Sequence, residues 1–266
     1  MSALGRPREM SNPTASANDD LVAFQTSHSH SLPALGQQHA TSSPHAVPVD
    51  DEVLEPRSGN VDRLTLKTFV FSRKGLRTDM QIVDVQNEVD WSSYYAAVKA
   101  WKFNTPDVTL HAGIDTTAEI VGVAHFRFSR HMMLGLGDPL NDPSSVVWEE
   151  LRRQSLLKNR WSFEFDDSIG HNDIGTPRSE GTRRRRLLWQ RTTDAADGVE
   201  GLSRMSIQNF RLTDQGTGDV VAVFIASNLT SLKKKGELRI FRELSISLER
   251  IILLSCASIS EKLARD

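Results

Sequence analysis

Residues 244–265 read LSISLERIILLSCASISEKLAR, and the fold turns on how this stretch is read. It contains neither Gly nor Pro, so nothing in it interrupts a helix. Leu248, Ile251, Ile252, Leu253, Leu254, Cys256, Ala257 and Ile259 cover every side of a helical wheel, with small Ser255, Ser258 and Ser260 filling the gaps. A helix that is apolar all round belongs in an interior. Its charges stand toward the two ends: Glu243, Glu249 and Arg250 before the middle, Glu261, Lys262 and Arg265 after it. The cationic last turn suits the negative end of the helix dipole. The competing reading is a membrane tail anchor, but the uncharged run 251–260 is half as long as the roughly 20 residues a spanning helix needs. The stretch is therefore expected to be a core helix, and the rest of the chain should supply what encloses it.

Upstream, the sequence alternates strand patterns with turns. Leu64, Leu66, Thr68 and Val70 alternate with Thr65, Lys67, Phe69 and Phe71, which is the period of a strand. Further strands are expected over 78–86, 94–103, 108–111, 119–128, 131–136, 146–152 and 161–165. The Arg183–Arg186 run opens another, RRRRLLWQRT, and 205–212 and 219–226 form a hairpin around Gly216. Lys233-Lys234-Lys235-Gly236 is read as a turn leading into a last strand at 237–242. Strands separated by turns, not helices, argue for an antiparallel sheet. About twelve of them tend to close, which removes exposed edges. Side chains alone fill a barrel of about eight strands, so a wider one needs a plug. The expected fold is mainly β: a closed antiparallel barrel of about twelve strands around the hydrophobic C-terminal helix.

Two segments lack this texture. Residues 1–60 are rich in Ser, Pro, His and Ala, hold Phe24 as their one aromatic, and show no period, so they are expected to be disordered. Residues 61–266 form the barrel domain, interrupted by a polar loop at 166–182 (DDSIGHNDIGTPRSEGT) that is expected to be mobile. The net charge of −2 hides a small asymmetry: residues 1–60 carry three arginines against seven carboxylates, −4, which leaves +2 on the remainder.

Chemistry-bearing motifs are few. Cys256 is the single cysteine and sits inside the apolar helix, which excludes an internal disulfide and a cysteine zinc cluster and points to a reducing, cytoplasmic setting. No apolar segment of secretory type follows Met1. His28, His30, His39 and His45 have no regular metal-ligand spacing. His111, Asp115, His125 and Asp138 lie in one region and could form an acid–base pair, but a strand histidine with a satisfied nitrogen and turn aspartates account for them better. There is no G-x-S-x-G, H-E-x-x-H or phosphate-loop pattern, so no enzyme activity, cofactor or metal is expected. Trp148, Trp161 and Trp189 read as core and interface residues.

Three basic runs remain as candidate anion sites: Arg183, Arg184, Arg185 and Arg186; Lys233, Lys234 and Lys235; and Arg152 and Arg153, with Lys158 and Arg160 close by. Basic clusters attract anionic headgroups. In a strand, however, alternate arginines face opposite sides, and charged turns also protect sheet edges. The Arg run could also serve as a nuclear-localisation signal, while no aromatic-interleaved basic face supports a nucleic-acid partner.

The phrases Val108-Thr109-Leu110-His111-Ala112-Gly113, Gly135-Leu136-Gly137-Asp138-Pro139 and Val147-Trp148-Glu149-Glu150-Leu151 occur in an order that, with the Gly216 hairpin and the C-terminal helix, resembles the tubby C-terminal-like superfamily. This group comprises tubby proteins, plant LURP-one-related proteins and phospholipid scramblases, and the likeness is to its fungal members in particular. It covers roughly residues 62–266. The resemblance implies a twelve-stranded barrel around a central hydrophobic helix and no catalysis. Tubby proteins bind phosphoinositides through basic surface residues; LURP-one-related proteins are linked to defence. No residue of the tubby lipid site can be matched to a position here. Two functions are therefore expected in competition: a non-catalytic module at the surface of anionic, phosphoinositide-bearing membranes, or a protein-interaction scaffold working through residues 1–60 and 166–182. Ser43-Pro44 and Thr176-Pro177 would offer the scaffold phosphorylation sites.

Overall fold

The computed structural model describes residues 63–74, 78–86, 93–99, 105–126, 131–155, 159–166, 184–227 and 233–266. The reading of 1–60 as disordered lies outside them, and so, apart from Asp166, does the reading of 166–182 as mobile. The described residues fall in one compact unit.

Twelve strands run in sequence: β1 (Lys67–Arg73), β2 (Met80–Asp84), β3 (Ser93–Val98), β4 (Val108–His111), β5 (Ile120–Phe126), β6 (His131–Leu136), β7 (Val147–Ser155), β8 (Arg160–Phe165), β9 (Arg185–Arg191), β10 (Phe210–Asp214), β11 (Val220–Ala226) and β12 (Lys234–Ile240). Each pairs antiparallel with its neighbours in the chain, and β1 pairs with β12, so the sheet closes into a barrel without a free edge. The helix α1 (Ile246–Arg265) follows β12 directly.

Alternation along each strand divides wall from lumen. Phe69 and Phe71 of β1, Met80 and Ile82 of β2, Trp161, Phe163 and Phe165 of β8, and Leu187 and Trp189 of β9 all turn inward. Every strand adds residues to this one core, and the core also holds Leu248, Ile251, Ile252, Leu253, Leu254, Cys256, Ala257 and Ile259 of α1. The helix is buried on all sides because β-structure surrounds it. Each Leu or Ile so buried stabilises the fold by about 1.5–3 kcal/mol. Polar groups on the helix are met individually: Trp189 Nε1 donates to Ser255 Oγ at 3.0 Å, and Ser255 Oγ donates to the Ile252 carbonyl at 2.9 Å. Burial pushes the Cys256 thiol pKa up, so the cysteine is an inert core residue. Gly236 of β12 is required by packing, since a Cβ there would collide with the Phe224 ring.

Strand directions alternate, so odd-numbered strands begin and even-numbered strands end at the same rim. Because β12 ends there, α1 enters by that rim, here termed the entrance rim, and its C-terminus reaches the far rim. Ser245 caps the helix N-terminus, its Oγ accepting from Leu248 N at 3.2 Å. The end charges then tether the helix. At the entrance, Glu249 takes Lys67 of β1 at 2.6 Å and the Tyr94 hydroxyl of β3 at 3.3 Å. At the far rim, Glu261 faces Lys235 of β12 at 3.6 Å, Asp266 faces Arg153 of β7 at 3.0 Å, and Arg265 pairs with Asp107, just before β4, at 2.8 Å. Those three strands are spaced widely around the barrel, so the tethers hold the helix end near the axis.

Several boundaries differ from the sequence reading. The lysine run is not a turn: Lys234 and Lys235 begin β12 across from the end of β1, with a register shift at Phe71/Ser72. The strand expected over 205–212 starts only at Phe210, because Gly201–Met205 form a 3-10 turn. The third strand stops at Val98, and the first begins at Lys67, leaving Leu64 exposed. Among the described residues no helix is long and apolar enough to cross a membrane.

Two outcomes test this architecture. A chain ending at Ser247 loses cooperative thermal unfolding followed by tryptophan fluorescence; unchanged cooperativity would refute the helix as plug. Burial, then the charge of Glu249, pushes the Tyr94 pKa from 10.0 up to about 12. The folded state therefore keeps a proton that the unfolded chain loses between pH 10 and 12, and stability falls across that window by roughly 2–3 kcal/mol. In Tyr94→Phe this component of the alkaline loss disappears, so urea midpoints of the two proteins converge as pH rises from 9 to 12; parallel curves would contradict the assignment.

Candidate anion-binding rim

The three basic runs do not share a surface. Arg184 precedes β9, and Arg185 and Arg186 begin it, so all three stand at the entrance rim. Lys233, Lys234 and Lys235 stand at the start of β12, and Arg152 and Arg153 in the second half of β7, both toward the far rim. Arg183 lies outside the described residues.

Nearly all of these cations already have an anion. Arg184 Nη2 donates to both carboxylate oxygens of Glu149, at 2.6 and 2.5 Å. Glu149 itself has its pKa raised by burial, against the pull of Arg184. Arg185 lies 3.9 Å from Asp214, and Arg186 pairs across the wall with Glu164 at 2.9 Å. As alternation requires, Arg185 and Arg186 serve opposite faces of the sheet. Arg152 pairs with Glu150 at 2.7 Å, and Lys234 with Glu237 at 3.0 Å. Lys235 and Arg153 are the internal tethers. Arg153 also lies over the Trp161 ring, 5.2 Å from its centre, and donates to Asn159 Oδ1 at 3.0 Å. An exposed ion pair is worth at most about 1 kcal/mol, so pairing adds little stability. It does mean that an incoming anion must displace a carboxylate.

Lys233 is different. It is exposed and has no carboxylate partner among the described residues. Arg73, Lys99, Arg160 and Arg191 share that property; all are exposed except Arg160, which is partly so. Each stands at a strand end on the far rim: Arg73 closes β1, Lys99 follows β3, Arg160 opens β8 and Arg191 closes β9. Arg73 and Lys233 are joined directly, Arg73 N donating to the Lys233 carbonyl at 2.7 Å. At the entrance rim, by contrast, Lys67, Arg184, Arg185, Arg186 and Arg242 all face carboxylates. The available positive charge is therefore concentrated where the helix ends. Sequence reading missed Arg73, Lys99 and Arg191 because they lie far apart in the chain and outside the longer basic runs; only strand order brings them to one rim.

The remaining candidate side chains have partners close by. The His111 ring Nδ1 is 2.9 Å from the Ala118 carbonyl, and Asp115 and Asp138 accept from backbone N–H groups in their own turns. His125 packs beside Trp148, and Trp148 covers Gly135 on the outer wall. Trp161 and Trp189 are fully buried. Among the described residues no group of His, Cys, Asp and Glu could hold a metal ion. No family model matches the chain, and no curated protein or solved structure matches it.

The internal role of Lys235 is testable. Burial lowers its pKa, with Glu261 acting in the opposite direction. Glu261→Gln leaves that amine buried and unpaired and lowers stability by roughly 3 kcal/mol. Adding Lys235→Met recovers most of the loss in denaturant melts. Equal loss in the single and double variants would mean the pair does not act as a unit.

Proposed function

We propose that this chain is a non-catalytic barrel module that docks on anionic phospholipid, phosphoinositide in particular, through the far rim. One observation carries the reading: Arg73, Lys99, Arg160, Arg191 and Lys233 gather at one end of the barrel without carboxylate partners among the described residues. Basic side chains near an anionic membrane contribute about 1 kcal/mol each, within a Debye length of roughly 8 Å at physiological salt. A ring of cations on the end of a rigid barrel presents several at once to a flat surface. The resemblance to tubby-like barrels supports the same ligand class. The enclosed helix occupies the lumen that a carrier of small apolar molecules would need, which favours a surface ligand over an internal one.

Vesicle cosedimentation tests the reading. The chain partitions to phosphatidylcholine vesicles doped with phosphatidylinositol bisphosphate, and not to pure phosphatidylcholine, with affinity falling as salt rises. Arg73→Gln with Lys233→Gln weakens partitioning by about thirty-fold, from the loss of about 2 kcal/mol. Arg184→Gln with Arg186→Gln changes it by no more than about two-fold, since those cations are already engaged. Equal partitioning to neutral and doped vesicles would sink the proposal.

A further inference from the structure

Between β9 and β10 the chain makes a tight turn, 203–209, whose base is fixed to the far rim. The Asn209 side chain, fully buried, does this: its Nδ2 donates to the Ser203 carbonyl at 2.5 Å and its Oδ1 accepts from Ala226 N, at the end of β11, at 2.9 Å. The Asn209 carbonyl accepts from Thr192 N, just past β9, at 3.0 Å. The ends of three adjacent strands therefore anchor the turn. What the turn presents is apolar: Met205 is 78% exposed and Ile207 50%. Arg204 and the rim cation Arg191 stand exposed in the same connection. Asp194 and Glu200 are exposed there as well, Asp194 engaged in capping Ala196 N.

An anchored turn with large apolar side chains beside cations that have no carboxylate partner among the described residues has the composition of a membrane-interface element, in which cations meet headgroups and apolar side chains reach the acyl boundary. The entrance rim also exposes apolar residues, Leu64, Leu140 and Ile246, but its cations are matched by carboxylates and Leu140 lies between Asp138 and Asp142. With its cations matched, that rim offers an anionic surface less attraction than the far one.

Resting on the lipid-docking reading, we infer that the 203–209 turn inserts Met205 and Ile207 into the headgroup–acyl boundary of an anionic bilayer, which fixes the barrel with its far rim toward the membrane.

The native Cys256 is buried within the helix, so a cysteine introduced at an exposed position is labelled selectively. Met205→Cys and, at the opposite rim, Leu140→Cys are each labelled with an environment-sensitive fluorophore in the full chain. On phosphatidylcholine vesicles doped with phosphatidylinositol bisphosphate, the label at position 205 shifts to the blue and becomes shielded from an aqueous quencher, while the label at 140 does not change. Met205→Ser with Ile207→Ser, both on the surface, weakens partitioning about tenfold and leaves its salt dependence intact. Cosedimentation of the unlabelled chain with the 205 label still open to quencher would overturn insertion and leave lipid docking standing. Shielding at 140 instead of 205 would reverse the orientation and overturn the inference. Failure of the unlabelled chain to cosediment at all would remove both proposals.

Discussion

The structure depends on one constraint: a twelve-stranded barrel encloses more space than its own side chains fill, so a separate apolar rod must occupy the lumen. The helix Ile246–Arg265 suits that place because its backbone hydrogen bonds are internal and its side chains are apolar in every direction. Neither part makes sense alone. Without the helix, inward Phe69, Phe71, Trp161, Phe163 and Trp189 would face a void, and without the barrel the helix would expose an unbroken apolar surface. The last stretch of the chain thus completes a core to which every strand contributes.

That arrangement decides what the charges can do. A helix of 20 residues is about 30 Å long, and charges at its two ends can reach the rims. Glu249 and Glu261 are buried carboxylates that would be costly if left alone, and strands on the wall supply their partners. The same economy of pairing holds along the outside, where Arg184, Arg186, Arg152 and Lys234 each meet a neighbouring carboxylate. Apart from Lys233 and Arg160, the described members of the basic runs are therefore separate ion pairs, distributed over two rims and two faces of the wall.

The fold was legible in the sequence for physical reasons that its function does not share. Periodicity is local: alternation over 131–136 or 161–165 and all-round apolarity over 251–260 survive any tertiary context, and both elements form where the pattern places them. Boundaries were less legible where composition suggested something else. Lysines at 233–235 read as a turn, yet pairing with the end of β1 draws Lys234 and Lys235 into β12. Apolar Met205 and Ile207 read as the start of a strand, yet Asn209 folds the chain back on itself before β10 begins. The candidate rim was not legible at all. Arg73, Lys99 and Arg191 lie far apart in the chain, and only the count of strands between them, which sets the direction of each, brings them to the same end.

The asymmetry of the two rims follows from the helix having a direction. Its N-terminus enters where β12 ends, and Lys67 and the Tyr94 hydroxyl are committed there to Glu249. Its C-terminus points its unpaired carbonyls, the negative end of the dipole, at the far rim, where Lys262 and Arg265 stand in the last turn. Cations on the surrounding strand ends are tolerated at that rim at lower electrostatic cost than they would be at the other. The far rim can therefore accumulate Arg73, Lys99, Arg160, Arg191 and Lys233 without matching carboxylates among the described residues, which is the condition for attracting an external anion. On this argument the polarity of the plug is what gives the barrel a basic end, and under the proposed docking the same helix that closes the core would also set which way the molecule faces an anionic surface.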